Sequence, residues 1–575
     1  MRLSLKDIFP IFDWLPNYKK SWVKGDLSAG LTVGVMLIPQ GIAYAMIAGL
    51  PPIYGLYTAM IPQVMYAFFG TSRQLAVGPS AMDSLIVASG IGAIAMVGSE
   101  NFIALAILLA LLIGLIQLAL GLFRLGFLVN FLSKPVISGF TSAAALIIGF
   151  NQLKHLLGVN INRNHQLQYL VFDAIKQLKN INYPTFAIGI SSILILLLIK
   201  RYFKKIPAAL VVVILGVLVV KFFNLHQYGV KIVGNIPKGL PHFAMPQFNL
   251  ETIKELGPLA ITLALIAFME AISVAKAIEA KHMNYKVKAN KELIALGLGN
   301  IVGSLFQSYP STGGFGRTAV NNQSGANTPF AAIISAVVVA LTLLFLTPLF
   351  YYLPKAVLGA IIIVAVFSLL DFKVPYQLWK YTKRDLIILN VTLLITATVG
   401  IKEGIITGVL FSLIMLIYKS TKPHVAILGN VPNTYLYRNI KRFDNLIILK
   451  DVLIIRFDAQ LHFANTTYFK DTIYDEAQKK GGKLKIIVID GESLNNLDSS
   501  GVYALEEILN FFKEKKIKLY FTGLKGPVRD TIYKSNIIKD IGQEHCFMSI
   551  QEAIDSYQEK NKTNHKKKYT YQRNV

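Results

Sequence analysis

Ala76-Val77-Gly78-Pro79-Ser80-Ala81-Met82-Asp83-Ser84 and, much further along, Pro310-Ser311-Thr312-Gly313-Gly314-Phe315-Gly316-Arg317-Thr318 each interrupt an apolar stretch with glycine, proline and hydroxyl residues. A matching pair of broken spans in two halves of a membrane chain points to a transporter's binding site. The spacing supports a repeat. Ser80 and Gly314 lie 234 positions apart, and Gln40 and Glu270, each inside an apolar stretch, lie 230 apart. Two halves of seven spans are therefore expected, and because seven is odd the second half enters the membrane from the opposite side, as an inverted repeat.

Outward from this pair, apolar runs of roughly 17 to 25 residues, enough to cross a bilayer, begin near Leu27, Ile53, Pro79, Phe102, Phe131, Thr185, Ala208, Pro258, Lys291, Gly313, Pro329, Ala356, Asp385 and Lys402. That makes fourteen spans, of which those opening at Pro79 and Gly313 are too short or too rich in Gly and Pro to be ordinary ones. The first runs directly into more apolar sequence instead of a small-residue cleavage site and a polar domain, so it is read as a retained span. Composition agrees. Of 575 residues 54% are hydrophobic and only 16% charged, against about 25% charged in soluble proteins. Lys and Arg number 58 against 32 Asp and Glu, a formal net charge of +26. A nucleic-acid binder gathers such charge on one face and is rarely this apolar, which leaves a membrane protein with a basic cytoplasmic side and no nucleic-acid partner. The single cysteine, Cys546, excludes an intrachain disulfide framework and a cysteine-cluster metal site.

With the amino terminus inside, cytoplasmic loops carry Lys200, Arg201, Lys204 and Lys205, then Lys281, Lys286 and Lys288, then Lys373, Lys380, Lys383 and Arg384, then Lys419 and Lys422. This is the positive-inside pattern, with the basic residues between Asn151 and Tyr183 against it. An even number of crossings returns the carboxy-terminal region to the cytoplasm. There, short β-rich runs (Val452 to Phe457, Lys485 to Asp490, Ile517 to Thr522) alternate with helical patterns (Thr466 to Lys479, Ser499 to Lys515), the signature of a compact α/β domain. The expected organisation is a cytosolic segment 1–26, a membrane domain 27–422, an α/β domain 435–558 and a basic disordered tail 559–575.

A span that begins at mid-membrane presents unpaired N–H groups and the positive end of its dipole, which attract an anion. Arg317, in the first turn of the second broken span, adds a full charge and planar donors suited to an oxyanion. An intramembrane Arg is a functional residue by default; the competing reading is a side chain that snorkels from a span end or sits in a structural ion pair. Glu270 lies deep in Leu265-Ile266-Ala267-Phe268-Met269-Glu270-Ala271-Ile272-Ser273, where it either loads and unloads a proton or stays ionised and neutralises Arg317. Asp83 carries a proton, binds a cation such as Na⁺, or hydrogen-bonds to backbone freed by the break. Gln40 and Tyr44, four apart on one helix face, offer neutral donors, although such residues often serve helix packing. Gly313-Gly314-Phe315-Gly316 lacks the Gly-Lys-Ser/Thr and βα context of a nucleotide loop. His155, His282 and His462 have no ligand partners at metal spacing, and neither cofactor nor enzyme chemistry is expected.

Pro39-Gln40-Gly41-Ile42-Ala43-Tyr44-Ala45, Pro51-Pro52-Ile53-Tyr54-Gly55-Leu56-Tyr57, Phe69-Gly70-Thr71-Ser72-Arg73 and Ala76-Val77-Gly78-Pro79 resemble the sulfate permease (SulP) family of anion transporters. Ser311-Thr312-Gly313, Arg317-Thr318-Ala319-Val320-Asn321 and Asn290-Lys291-Glu292-Leu293 resemble its plant and bacterial sulfate transporters. The resemblance extends over nearly the whole chain and makes the carboxy-terminal domain similar to a STAS domain. It implies seven plus seven inverted spans divided into a core and a gate domain, with the anion between the third and tenth spans. By position, Gln40, Tyr44, Ser80, Ala81, Gly316 and Arg317 would bind substrate, and Glu270 matches the acid implicated in proton coupling. Two departures stand out: Gly314 and Gly316 where relatives often have Ser, and Asp83 where the plant proteins have an apolar residue. In the STAS-like domain, Leu497-Asp498-Ser499-Ser500-Gly501 resembles the motif phosphorylated in bacterial anti-sigma-factor antagonists; capping of the helix by Asp498 or Ser499 is the competing reading.

These readings converge on a secondary active transporter of inorganic anions in the cell membrane, importing sulfate with protons by alternating access. The resemblance implies a homodimer. The alternatives are a Na⁺-coupled bicarbonate or dicarboxylate carrier of the same fold, an anion channel or exchanger, and a membrane anchor whose output is the STAS domain.

Overall fold

The structure, a computed structural model, describes residues 9–127, 133–161, 166–203, 207–247, 250–282, 284–367 and 370–561. The expected span start at Phe131, the loop residues Lys204 and Lys205, and residues 1–8 and 562–575 of the two expected terminal segments lie outside the described residues. The chain divides into two compact units, Met1–Ser412 and Leu413–Val575.

Helices occupy the expected span positions. In order they are α1 (Lys20–Ala48), α2 (Pro52–Thr58), α3 (Ile61–Phe69), α4 (Ala81–Gly92), α5 (Glu100–Leu122), α6 (Lys134–Leu157), α7 (Leu167–Gln177), α8 (Tyr183–Tyr202), α9 (Ala208–Phe222), α10 (Leu250–His282), α11 (Ala289–Leu305), α12 (Phe315–Gln323), α13 (Phe330–Leu341), α14 (Lys355–Phe367), α15 (Lys373–Tyr381), α16 (Lys383–Thr398) and α17 (Ile401–Thr421). Among the described residues, α1, α5, α6, α8, α10 and α13 with its extension to Phe350 are long and apolar enough to cross a membrane. The ends follow local chemistry. Gly49, left-handed at φ 85°, closes α1 before Pro51 and Pro52 restart the chain as α2. Ser99 caps α5 by accepting a bond from Phe102 N–H at 3.1 Å.

Small residues bring the helices together, as is usual where lipid gives helices no hydrophobic reason to associate. At the α5–α11 crossing a Cβ on Gly114 would sit 2.7 Å from the Gly297 carbonyl oxygen, and one on Gly297 would sit 2.8 Å from that of Gly114. Outward-facing Leu194, Leu198, Ile214 and Leu218 on α8 and α9 are about half exposed, which suits a surface facing lipid. The two broken segments meet as an antiparallel pair of short strands, β1 (Val77–Gly78) and β2 (Thr312–Gly313), with Val77 opposite Gly313 and Gly78 opposite Thr312. Each strand leads at once into a short helix, α4 or α12.

The second unit contains a six-stranded sheet in the order β4-β3-β5-β6-β7-β8, with β3 (Val425–Asn430), β4 (Tyr437–Asn439), β5 (Val452–Phe457), β6 (Ile486–Asp490), β7 (Lys518–Thr522) and β8 (Cys546–Phe547). Strands β5 to β8 are parallel, while β3 is antiparallel to both its neighbours. The central strands are continuous apolar runs because both faces are covered. Leu453, Ile455, Ile487 and Ile489 join the core beneath α18 (Thr466–Lys480), α19 (Ser499–Glu514) and α20 (Gly526–Lys534), and Val452, Ile454 and Val488 pack with Ala553 and Ile554 of α21 (Ile550–Asn561).

Candidate functional site

The crossing of β1 and β2 fixes where α4 and α12 begin. Thr318 Oγ1 accepts a bond from Ala76 N–H at 3.0 Å, Asn321 Nδ2 donates to the Gln74 carbonyl at 2.9 Å, and Gln74 Nε2 donates to the Ala326 carbonyl at 3.0 Å. Asn300 on α11 holds the approach to β2 by accepting from Ser311 N–H at 2.9 Å and donating to the Ser311 carbonyl at 3.1 Å. Thr312 Oγ1 donates to the Ala267 carbonyl at 2.6 Å, which ties β2 to α10 one turn before Glu270. The buried Tyr309 shares a 2.9 Å hydroxyl bond with Ser84 and receives Thr58 Oγ1 as acceptor for its N–H at 3.0 Å. Of these supporting residues, Asn300, Tyr309 and Thr58 carry no signal in sequence, because each is recognisable only through a partner distant in the chain or in another element.

Ser80 is the N-cap of α4, its Oγ accepting from Asp83 N–H at 3.1 Å, while Gly314 stands at the N-cap of α12 with no side chain to give. Both helix starts therefore leave first-turn N–H groups without intrahelical acceptors. Arg317 reaches from α12 across to the other half. Its Nη1 donates to the Pro79 carbonyl at 2.6 Å and its Nη2 to the Thr312 carbonyl at 3.4 Å. The side chain is 3% exposed and its Nε has no hydrogen-bond partner. Arg317 is buried and does not snorkel, and among the described residues no hydrogen bond or ion pair joins it to a carboxylate. Gly314 is what makes room, since a Cβ there would lie 2.8 Å from Arg317 Cζ and Nη2.

The other sequence-selected residues gather round this guanidinium. Tyr44, Glu270, Tyr309 and Asp83 are its electrostatic neighbours. Tyr44 and Gln40 are both buried on α1, and Gln40 Oε1 lacks a partner. Ala81, the first residue of α4, is buried, whereas Gly316 is exposed and a Cβ on it would meet nothing within 4 Å. Glu270 is half-buried, with Oε2 unpartnered, and Asp83 is fully buried with both carboxylate oxygens unpartnered. The freed backbone that was one expected use for Asp83 is served instead by Ser80. The result is a polar site built from α1, α4, α10 and α12, with a cation at its centre, two acids beside it and two helix N-termini facing it. Such a site suits a small oxyanion.

In the second unit, Asp498 caps α19. Its Oδ1 accepts from Gly501 N–H at 2.8 Å and its Oδ2 from Phe463 N–H at 2.9 Å. Ser499 is exposed at the first helical position and Ser500 is half-buried, so the cap belongs to Asp498 and the Ser499 hydroxyl is left for other chemistry. At the strand ends nearby, burial pushes Asp490 up from the ordinary carboxylate range. Burial also acts upward on Asp458, but bonds from Arg456 Nε at 2.6 Å and with His424 Nδ1 at 2.7 Å outweigh it and hold that carboxyl low.

Residues 23–392 match the sulfate permease family and residues 445–553 match the STAS domain. The chain is 39% identical over 566 residues to the sulfate transporter 4.1, chloroplastic, of Arabidopsis thaliana, covering 95% of this chain and 82% of that one. It is 34% identical to the sulfate transporter 3.2 of the same plant, covering 96% and 89%. The solved structure of the murine solute carrier 26 family member A9 anion transporter, in its inward-facing state, superposes with a TM-score of 0.89 at 27% identity, covering 96% of this chain and 94% of that one. The helical membrane core with two facing half-helices, followed by an α/β STAS domain, is thus a shared architecture, and the chain is a multi-pass membrane protein that belongs to the sulfate permease family.

Proposed function

We propose that this chain is a secondary active transporter that takes up sulfate together with protons across the cell membrane. The observation that carries the reading is the buried Arg317 between two facing helix starts, with a spare Nε and the carboxyl of Glu270 within electrostatic reach. The anion sits against the starts of α4 and α12, held by Ser80, Ala81, Gly316 and Arg317 and bounded by Gln40 and Tyr44. Sulfate is the preferred anion because the curated relatives reported above are named as sulfate transporters. Coupling follows from energetics: a dianion entering a negative cell works against about 2 × 2.3 kcal/mol per 100 mV. Glu270 carries a proton with the anion, and both cross as the core moves against the gate, so access alternates from one side to the other.

In this reading the membrane domain spans residues 27–422 in fourteen crossings with both termini in the cytoplasm. The STAS domain, residues 435–558, contributes to a homodimer, and Ser499 or Ser500 takes a regulatory phosphate that the start of α19 tolerates.

The test is labelled sulfate uptake into proteoliposomes under an imposed pH gradient, with bicarbonate and fumarate as competitors and Na⁺ gradients as a separate arm. Glu270→Gln is expected to lower proton-driven accumulation by about tenfold or more, the scale of removing a positioned charged group, while sulfate exchange persists. Undiminished accumulation by the variant would remove Glu270 from coupling.

A further inference from the structure

Among the described residues, three acids of the membrane unit are fully buried, Asp26, Asp83 and Glu292, and Glu270, half-buried, stands beside Arg317. Asp26 and Glu292 are enclosed by donors. Glu292 accepts from Tyr66 Oη, Thr71 N–H, Thr71 Oγ1 and Ser72 N–H, and Asp26 from Tyr18 Oη, Asn327 N–H, Thr328 N–H and Thr328 Oγ1. Asp83 is as deeply buried as these, yet among the described residues neither of its carboxylate oxygens has a hydrogen-bond partner. Its main chain is pinned by Ser80, so the carboxyl is placed but unused. A buried ionised carboxylate without donors is strongly unfavourable unless a counter-charge compensates it.

The groups that face Asp83 are Arg317 from α12, Glu270 from α10 and Tyr309 from the segment before β2, with the Ser80 hydroxyl on its own helix. Helix α1, which also packs on α4, brings Tyr44 to Arg317 and Glu270. Helices α5 and α6 pack on α4 as well, but their only ionisable side chains are Glu100 at the start of α5 and Lys134, Lys154 and His155 at the ends of α6. Arg317 is therefore the one cation facing both Asp83 and Glu270 among the described residues.

We infer that Asp83 is a second proton site of the same pocket, loaded together with Glu270, so that each sulfate dianion crosses with two protons and no net charge. The charge balance favours it. Empty, with both acids ionised, Arg317 and the two carboxylates carry one net negative charge. Sulfate bound to Arg317 with both acids neutral carries the same single negative charge, whereas one remaining ionised acid would add another charge to a site that has just lost its free cation. Two protons enter from the side that supplies the anion, one onto each carboxylate, and both leave with it on the other side. This inference rests on the proton-coupled reading above and adds the stoichiometry to it.

The experiment uses the full chain in proteoliposomes with labelled sulfate and compares wild type with Asp83→Asn. At zero membrane potential, wild type is expected to accumulate sulfate about a hundredfold per unit of pH difference and the variant about tenfold, one factor of ten for each coupled proton. An imposed inside-negative potential should leave wild-type uptake unchanged and oppose that of the variant, which then moves net negative charge. Equal accumulation and equal voltage response in the two proteins would overturn the inference, as would a Na⁺ gradient that replaces the pH gradient in wild type but not in Asp83→Asn. Should Asp83→Asn fail to fold, protons taken up per sulfate by wild type, read with an entrapped pH indicator, decide the matter: two support the inference and one overturns it. Wild-type uptake indifferent to pH would instead defeat the proton-coupled reading itself.

Discussion

Glu292 and Asp83 are both fully buried acids in the membrane unit, and their surroundings are opposite. Glu292 stands near the start of α11 with Tyr66, both donors of Thr71 and the Ser72 N–H closed around it, fastening the chain that leads to β1. Asp83 stands in the first turn of α4 beside Arg317, Glu270 and the Ser80 hydroxyl, with neither carboxylate oxygen in a hydrogen bond among the described residues. Burial alone therefore says little about what an acid is for. A carboxylate that satisfies four donors is held in one state, and one that satisfies none is free to change state. Asp26, which joins α1 to the turn at Asn327 and Thr328, belongs with Glu292.

The largest effect that follows is on stability. Glu292→Ala leaves the Tyr66 hydroxyl, the Thr71 and Ser72 amides and the Thr71 hydroxyl without their acceptor, and is expected to cost about 3–5 kcal/mol, the range for breaking a buried charged network. Asp83→Asn leaves no such ring of donors without an acceptor and should change stability by less than about 1 kcal/mol. Thermal unfolding in detergent, followed by light scattering or intrinsic fluorescence, compares the two directly. A drop for Asp83→Asn as large as that for Glu292→Ala would erase the distinction and make Asp83 structural.

A smaller effect separates the two glycines of α12. Gly314 leaves room for the Arg317 guanidinium, and Gly316 borders open space. A side chain at Gly314 must push the end of Arg317 away from the Pro79 carbonyl, so Gly314→Ser is expected to raise the apparent KM for sulfate about tenfold, or about 1.4 kcal/mol, with stability nearly unchanged because a flexible side chain gives way. Gly316→Ser should have the smaller effect. The reverse order in uptake kinetics would show that the anion depends on the Gly316 amide more than on where Arg317 lies.

The sequence made much of this legible because membrane helices and their interruptions have local signatures. The broken pair, Arg317, Glu270 and the offset that relates Ser80 to Gly314 all stand out against apolar surroundings. The strands β5, β6 and β7 and the helices α18 and α19 lie within a residue or so of where apolar and β-branched runs place them. What was not legible depends on contacts across long separations. Nothing near Glu292 announces that Thr71 will be its partner, and Asn300 is an ordinary helix residue until Ser311 is seen to bond with it at both backbone groups. Strand β3 was missed for another reason: Val425–Asn430 falls between the expected membrane domain, which ends at 422, and the expected α/β domain, which starts at 435, although it pairs with both β4 and β5. For Asp83 the sequence left three uses open, and it took the position of Ser80 Oγ on the Asp83 N–H to remove one of them.

The smallest predicted effect carries the same contrast between satisfied and free groups into the STAS domain. Asp498 uses one carboxylate oxygen on Gly501 N–H and the other on Phe463 N–H, while Ser499 beside it is exposed. Asp498→Ala is expected to weaken the start of α19 by about 1 kcal/mol, a usual worth for an N-cap, and so to speed amide exchange in its first two turns several-fold in the full chain. Ser499→Ala should leave exchange there unchanged, because the hydroxyl caps nothing. A phosphate on Ser499 would then act through its charge, attracted by the positive end of α19 and repelled by the Asp498 carboxylate, without having to displace an existing bond. If Ser499→Ala instead speeds exchange as much as Asp498→Ala does, the hydroxyl shares the cap, and modification would have to break the helix start before it could signal.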